Sequence, residues 1–555
     1  MRYHSFLRVV GLCMALGWAS VPASAASAAQ AARGRVIADF PRGDGPRAIG
    51  ITEAGQDAQP AGPSGLIDAA HGGAFILDSV NKRIIRVDPA GKIEVAATIP
   101  NSGFAQDILR QDQSVYVLGN APIYVGQDRG KGKITRGGMP ESSSEGPGSV
   151  ASAFEANGAV LSPGRVGTPE NAPVPSDIGP WLPVAGPTPR AGEYRISRQK
   201  QQALVVEIRQ ENNSRQNLRL EIPASPALVG SIGLLGMDRK GHYYVRTEQL
   251  TRPDAGRVKV WILRYDQKGN LDGGYDVPDE RMELVPNRYL ALSDDGRVYF
   301  LESRLQKTRL WLLDLLPRAQ FVKWQANTMR KLAGAAGAMR NNTEATPPTA
   351  RSPESGNRST PLPRSEILAL AESFRTAEWT VGDKNYADSA PSRCAPAKGY
   401  LWMRPAYLDD QRGKTVTGVP YNWGGYMSVT DFLQRIKTDA LGGNICTCRS
   451  TYNCVQRKAA GVDCSGFVSQ VWKIPRHTTI SLMKKARRLA SLQELQPGDA
   501  INKPNSHVRL FVAFSPAGNG AIRAYEASTS CGRVCMRDFT TKQLEGYVPL
   551  AAPSI

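Results

Sequence analysis

The stretch GVDCSGFVSQVW, residues 461–472, sets an acid, a thiol and a hydroxyl side by side ahead of an apolar run. Phe467, Val468, Val471 and Trp472 recur at i, i+1, i+4 and i+5 without a proline, so the spacing predicts a helix with Cys464 in its first turn. There the unpaired backbone N–H groups and the helix dipole favour a thiolate, pulling the pKa below the ordinary value of about 8.5. The same N–H groups could hold the oxyanion of a tetrahedral intermediate. A thiolate nucleophile also needs a proton donor for its leaving group, usually a histidine. His477 ends the same segment and falls over ~12 Å from the thiol at 1.5 Å of rise per residue. His507 opens HVRLFVAF, a strand pattern after the turn LQPGD, and is the better candidate.

A third group should orient the imidazole. The His507 strand and AIRAYEAS, separated by SPAGNG, read as a hairpin. A four-residue loop sets His507 opposite Glu526, and a six-residue loop sets Ser528 there instead, on the same face. A five-residue loop sends Glu526 to the other face, because strand faces alternate with period two. Glu526 is the expected partner, fixing the tautomer and stabilising an imidazolium.

The cysteine count supports a thiol kept apart from the rest. Of eight cysteines, Cys13 lies in a leader and the other seven fall in the last third, at 394, 446, 448, 454, 464, 531 and 535. Seven is odd, so three disulfides in an exported chain leave one thiol, and Cys464 has the distinct surroundings. A zinc cluster is the competing use of Cys-x-Cys and Cys-x3-Cys, but an oxidising compartment favours disulfides. No metal and no cofactor is expected.

Export is read from residues 1–25, where Arg2 and Arg8 precede a short apolar stretch and the small residues Ala23-Ser24-Ala25. That stretch is too short to span a bilayer, and no later segment is long and apolar enough to do so. The expected location is therefore the periplasm, cell envelope or exterior. Lys plus Arg number 69 against 50 Asp plus Glu, a net charge of +19. Such a surface suits an anionic envelope better than nucleic acid, from which export removes the chain.

At 555 residues the chain exceeds what one core supports, and its text divides. Between residues 26 and 325 short strands flank turns containing Asp and Gly: LIDAAHGGAFILDSVNKRIIRVD, MDRKGHYYV and LSDDGRVYFLES. This resembles the blades of an NHL-like β-propeller; a β-sandwich is the alternative. Residues 129–192, rich in Gly, Pro and Ser, read as an insertion, and 326–363 as a flexible linker.

YNWGG at 421, DCSGFVSQVW at 463, IPRHT at 474, LQPGD at 495, HVRLFVAF at 507 and AYEAS at 524 stand in the order seen in NlpC/P60 cysteine peptidases. The resemblance covers residues 364–555. It implies an α+β papain-like fold, a Cys-His-polar triad, cleavage of amide bonds in peptidoglycan stem peptides, and substrate recognition by Tyr421, Asp463 and Ser465. The chain departs from the pattern in the long segment from Gly425 to Gly461, in Arg509, where a small residue is common, and in Glu526, where the family often has a second histidine or an amide. The propeller is expected to hold wall polymer or a partner protein and to deliver the enzyme on a tether. Acyl transfer by the same thiol, and a non-catalytic envelope-binding role with Cys464 in a disulfide, are the competing readings.

Overall fold

The computed structural model describes residues 33–553 except 53–58, 71, 100–104, 112, 119–121, 129–133, 136–181, 184–192, 199–203, 210–216, 224–228, 252–256, 342–361, 387–402, 448–454 and 516–519. The segment read as a leader, residues 1–25, lies outside these residues. So does most of the 129–192 insertion, apart from the short strands Ile134–Thr135 and Leu182–Pro183.

The Asp-Gly turns explain how the first half folds. Asp88 Oδ1 accepts from the backbone N–H groups of Ala90 (2.9 Å) and Lys92 (2.8 Å). Asp238 and Asp266 repeat the arrangement with residues two and four places on. The third place is glycine each time, at φ near +80 to +90°, which other L-residues rarely adopt. Each turn reverses an apolar strand onto the next.

Five antiparallel sheets follow one another in chain order among the described residues, four of them four-stranded and the fourth in order five-stranded through the added edge strand Leu316–Pro317. The last is Leu290–Leu292, Val298–Ser303 and Lys307–Leu313, completed by the N-terminal strand Gly34–Pro41, which pairs from Gly34↔Leu313 to Pro41↔Lys307. The first strand thus closes the last sheet. Apolar clusters join the first sheet to the second and the fifth, the fourth to the fifth, and the third to the fourth. Sequential small sheets packed face to face, with the chain's start inserted in its final sheet, make a β-propeller.

The stretch read as a flexible linker begins otherwise. A helix runs Arg318–Asn341, well past residue 326. Phe321 is fully buried edge-on to Trp261, and Trp324 Nε1 donates to Asp276 Oδ2 at 2.7 Å, so its first turns are pinned to the propeller. Sparse large apolar residues hid this helix, because docking of a few aromatics stabilises it.

From residue 362 a five-stranded antiparallel sheet forms in the order Val534–Phe539, Ile522–Ala527, His507–Phe514, Ala500–Lys503, Val548–Leu550. The helices Arg364–Thr376 and Cys464–Val471 pack on one face around Phe374, Phe467, Val508, Leu510 and Tyr525. The other face carries His507, Arg509 and Glu526 beside Phe511, Phe539 and Tyr547. It is turned toward the propeller.

The two halves are bonded across a polar interface rather than merely tethered. Ser231 Oγ meets Thr541 Oγ1 at 2.8 Å, Lys542 Nζ meets Asp279 Oδ2 at 2.8 Å, and Lys82 Nζ meets Asp409 Oδ2 at 2.8 Å.

Candidate functional site

Cys464 is the first residue of the helix Cys464–Val471, as its spacing predicts. Asp463 caps that helix, its Oδ1 accepting from Gly466 N at 2.6 Å and from Ser465 Oγ at 3.1 Å. Its Oδ2 accepts from Gly424 N and Arg476 Nη2, both at 3.0 Å. YNWGG therefore docks against the head of the helix. A Cβ on Gly466 would stand 2.1 Å from the Gly425 carbonyl oxygen, so this approach requires glycine.

Among the described cysteines, Cys531 and Cys535 form a disulfide, Cys446 is also disulfide-bonded, and Cys464 is a thiol. Cys394, Cys448 and Cys454 lie outside the described residues. Glu526 and the two sulfurs of the 531–535 bridge come together, but oxidised sulfurs are not metal ligands of the thiolate kind.

His507 opens its strand as expected and meets Glu526, Nε2 to Oε2 at 2.8 Å. The register differs from the four-residue loop that favoured Glu526. Leu510 pairs with Tyr525, which sets Glu526 level with Arg509 and His507 level with Ser528, and a bulge between Phe511 and Ala513 takes up the difference. Glu526 therefore reaches His507 diagonally along one face. Its other partners are Arg509 Nε at 2.9 Å, Ser528 Oγ at 3.1 Å and Arg537 Nη1 at 3.3 Å. Burial alone would raise the Glu526 pKa, but Arg509, His507 and Arg537 hold it well below the usual carboxylate range.

The helix bearing Cys464 packs against the strands bearing His507 and Glu526. Tyr547 links the parts. Burial chiefly pushes its phenol up to about 12, with Glu526 and the Cys464 sulfur adding to the rise and Arg509 opposing it. The Arg509 guanidinium lies over the Tyr547 ring, 4.6 Å from its centroid, and 4.1 Å from that of Phe539. Cys464, His507 and Glu526 are all closed to solvent, at 0, 1 and 1 % exposure.

No family model and no curated protein matches the chain. A solved structure of regucalcin, a calcium-binding protein from Agrobacterium tumefaciens str. C58, is similar at 15 % identity over 51 % of this chain and 94 % of its own, with a TM-score of 0.23. A gluconolactonase from Xanthomonas campestris is similar at 13 % identity over 52 % of this chain and 93 % of its own, with a TM-score of 0.22. At scores this low neither adds to the strand order, which itself identifies the propeller.

Tyr421, Asp463 and Ser465 are gathered at the helix head, yet all are buried. The Asp463 carboxylate already serves the cap, the Gly424 N–H and Arg476, an inward-facing set of bonds. His477 stands aside, its Nδ1 on Ser481 Oγ at 3.1 Å. Sequence reasoning did not assign Arg537, Tyr547 or the propeller residue Gln59 to this site. Gln59 Oε1 accepts from Arg509 Nη2 at 3.0 Å, and its amide donates to the Tyr547 hydroxyl. Only the cations at 503, 509 and 537, on strands of the same sheet as Glu526, signal them in advance.

Proposed function

We propose that the protein is an exported cysteine amidohydrolase of the NlpC/P60 type, with a papain-like catalytic domain at residues 364–555, cleaving amide bonds in peptidoglycan stem peptides. The Cys464 thiolate attacks the amide carbonyl, forming a C–S bond and a tetrahedral oxyanion that the Cys464 backbone N–H helps to hold. Collapse breaks the C–N bond as His507 gives its proton to the departing amine. Water, deprotonated by His507, then attacks the thioester; the C–S bond breaks and the acid is released. Glu526, on Nε2, orients the imidazole, and the reaction requires Nδ1 to be turned to the thiol.

The observation that carries this reading is the retention of Cys464 as a thiol at a helix head, in a domain whose other described cysteines are oxidised, beside a strand whose histidine is bound to a buried carboxylate. A role in which Cys464 is disulfide-bonded loses its support on the same ground. Because the three side chains are closed to solvent, turnover requires the rim or the propeller contact to open. The test is the purified full chain incubated with defined muropeptides and followed by mass spectrometry. Hydrolysis products should form with the wild type and fall at least ~10³-fold in Cys464→Ala. Equal activity in that variant, or no cleaved bond, defeats the reading; products joined to an added amine instead of water would make the thiol an acyltransferase.

A further inference from the structure

Around Glu526 the buried charges do not balance. Its one carboxylate receives both Arg509 and Arg537. Lys503 Nζ stands over the Tyr547 ring, 5.7 Å from the centroid, and makes no ion pair among the described residues. The next acids are already engaged: Asp107 by Arg288 at 3.1 Å, and Glu545 by Lys542 at 2.6 Å and the Val258 N–H at 3.0 Å. Leaving His507 aside, Arg509 and Arg537 share one carboxylate, while Lys503 and Arg537 receive only more distant attraction from Glu545 and Asp107.

These cations border a cavity of about 790 Å³ between the propeller and the C-terminal domain, whose wall includes Gln59, Lys503, Arg509, Ser530 and Arg537. The same wall also includes the acids Glu280, Glu283, Asp409 and Glu545. Arg509 is 3 % exposed, and its Nη1 has no hydrogen-bond partner. Burial lowers the pKa of both Lys503 and Arg537 and Arg509 repels each further, more than Glu545 restores for Lys503 or Glu526 and Asp107 restore for Arg537. A buried cation without a counter-charge is expensive. The planar guanidinium fork is shaped for two-oxygen acceptors.

We propose that this interdomain cavity binds a ligand through an oxyanion, a carboxylate or a phosphate group, held by Arg509, Lys503 and Arg537. Because Arg509 also bonds to Glu526, which bonds to His507, a bound anion is felt at the imidazole. The site stands on charge and geometry and does not depend on the chemistry assigned to Cys464.

Binding is read by thermal unfolding of the full chain, with potassium chloride at matched ionic strength as the control. Inorganic phosphate tests a free phosphate; glutarate, against its uncharged diamide glutaramide, tests a carboxylate. A saturable rise in Tm with phosphate or with glutarate, absent with glutaramide, supports the site and tells the two sources apart. Lys503→Gln should weaken that binding at least tenfold, and Lys503→Arg should restore most of it. No saturable shift from either anion, or an equal shift in Lys503→Gln, overturns the proposal. The hydrolase assay is a separate readout, so either reading can fail alone.

Discussion

Two buried charge clusters lie at the contact between propeller and C-terminal domain, and they are built on opposite principles. In the first, Lys259 Nζ meets Asp276 Oδ1 at 2.7 Å and Asp279 Oδ1 at 2.8 Å, Lys542 meets Asp279 and Glu545, and Arg33 meets Asp276 and Glu280. Three cations face four carboxylates. In the second, Arg509 and Arg537 share Glu526 as their ion-pair partner among the described residues, and Lys503 has only the more distant attraction of Glu545. Burial pulls down the lysines of both, yet Asp279, Asp276 and Glu280 more than reverse this for Lys259, whereas Lys503 stays lowered. A cluster that satisfies itself joins two surfaces; one that leaves cations over a cavity waits for something else.

The largest effect should come from the unbalanced cluster. Glu526→Gln leaves buried cations with no carboxylate and should destabilise the protein by about 3–5 kcal/mol in urea unfolding at pH 7. The folded pKa of Glu526 lies below its unfolded value of about 4.3, so its contribution is complete above that pH and fades as pH falls toward the folded pKa. The gap between wild type and variant should therefore shrink in acid. A gap that stays constant from pH 7 to pH 3 would mean that the charge of Glu526 is not what is lost.

Asp279→Asn, in the balanced cluster, should destabilise by about 3 kcal/mol, since Glu545 and Asp276 still cover the lysines. The pH profile of Cys464 alkylation by iodoacetamide should be unchanged in this variant and altered in Glu526→Gln. If Asp279→Asn moves the profile as well, the two clusters are one network and the distinction fails.

This contrast also marks how far the sequence could be read. The helix from Cys464 and the strand from His507 were legible because local period and turn residues dictate them. The His507–Glu526 contact was legible as a face but not as a register, because the bulge at Phe511–Ala513 shifts the pairing without a local signature. The helix from Arg318 was missed because its stability comes from Phe321 and Trp324 finding Trp261 and Asp276. Gln59 and Asn287, the latter accepting from Arg537 Nη2 at 2.7 Å, were invisible for a similar reason. They stand 450 and 250 residues from the arginines they hold, and nothing local ties such residues together.

Gln59 gives the smallest expected effect and the sharpest view of the interface. It comes from the propeller side, bridges Arg509 and Tyr547 through its amide, and accepts from Thr529 Oγ1 at 3.5 Å through its backbone carbonyl. Gln59→Ala removes the amide, keeps the backbone contact and leaves all four charges in place, so the loss should be about 1 kcal/mol. If the propeller closes the site, alkylation of Cys464 should nevertheless become several-fold faster at matched temperature, because the bonds lost lie on the cavity side of the Tyr547–Arg509 stack. An unchanged rate would mean that closure belongs to the C-terminal domain's own rim, and that Gln59 contributes only to docking.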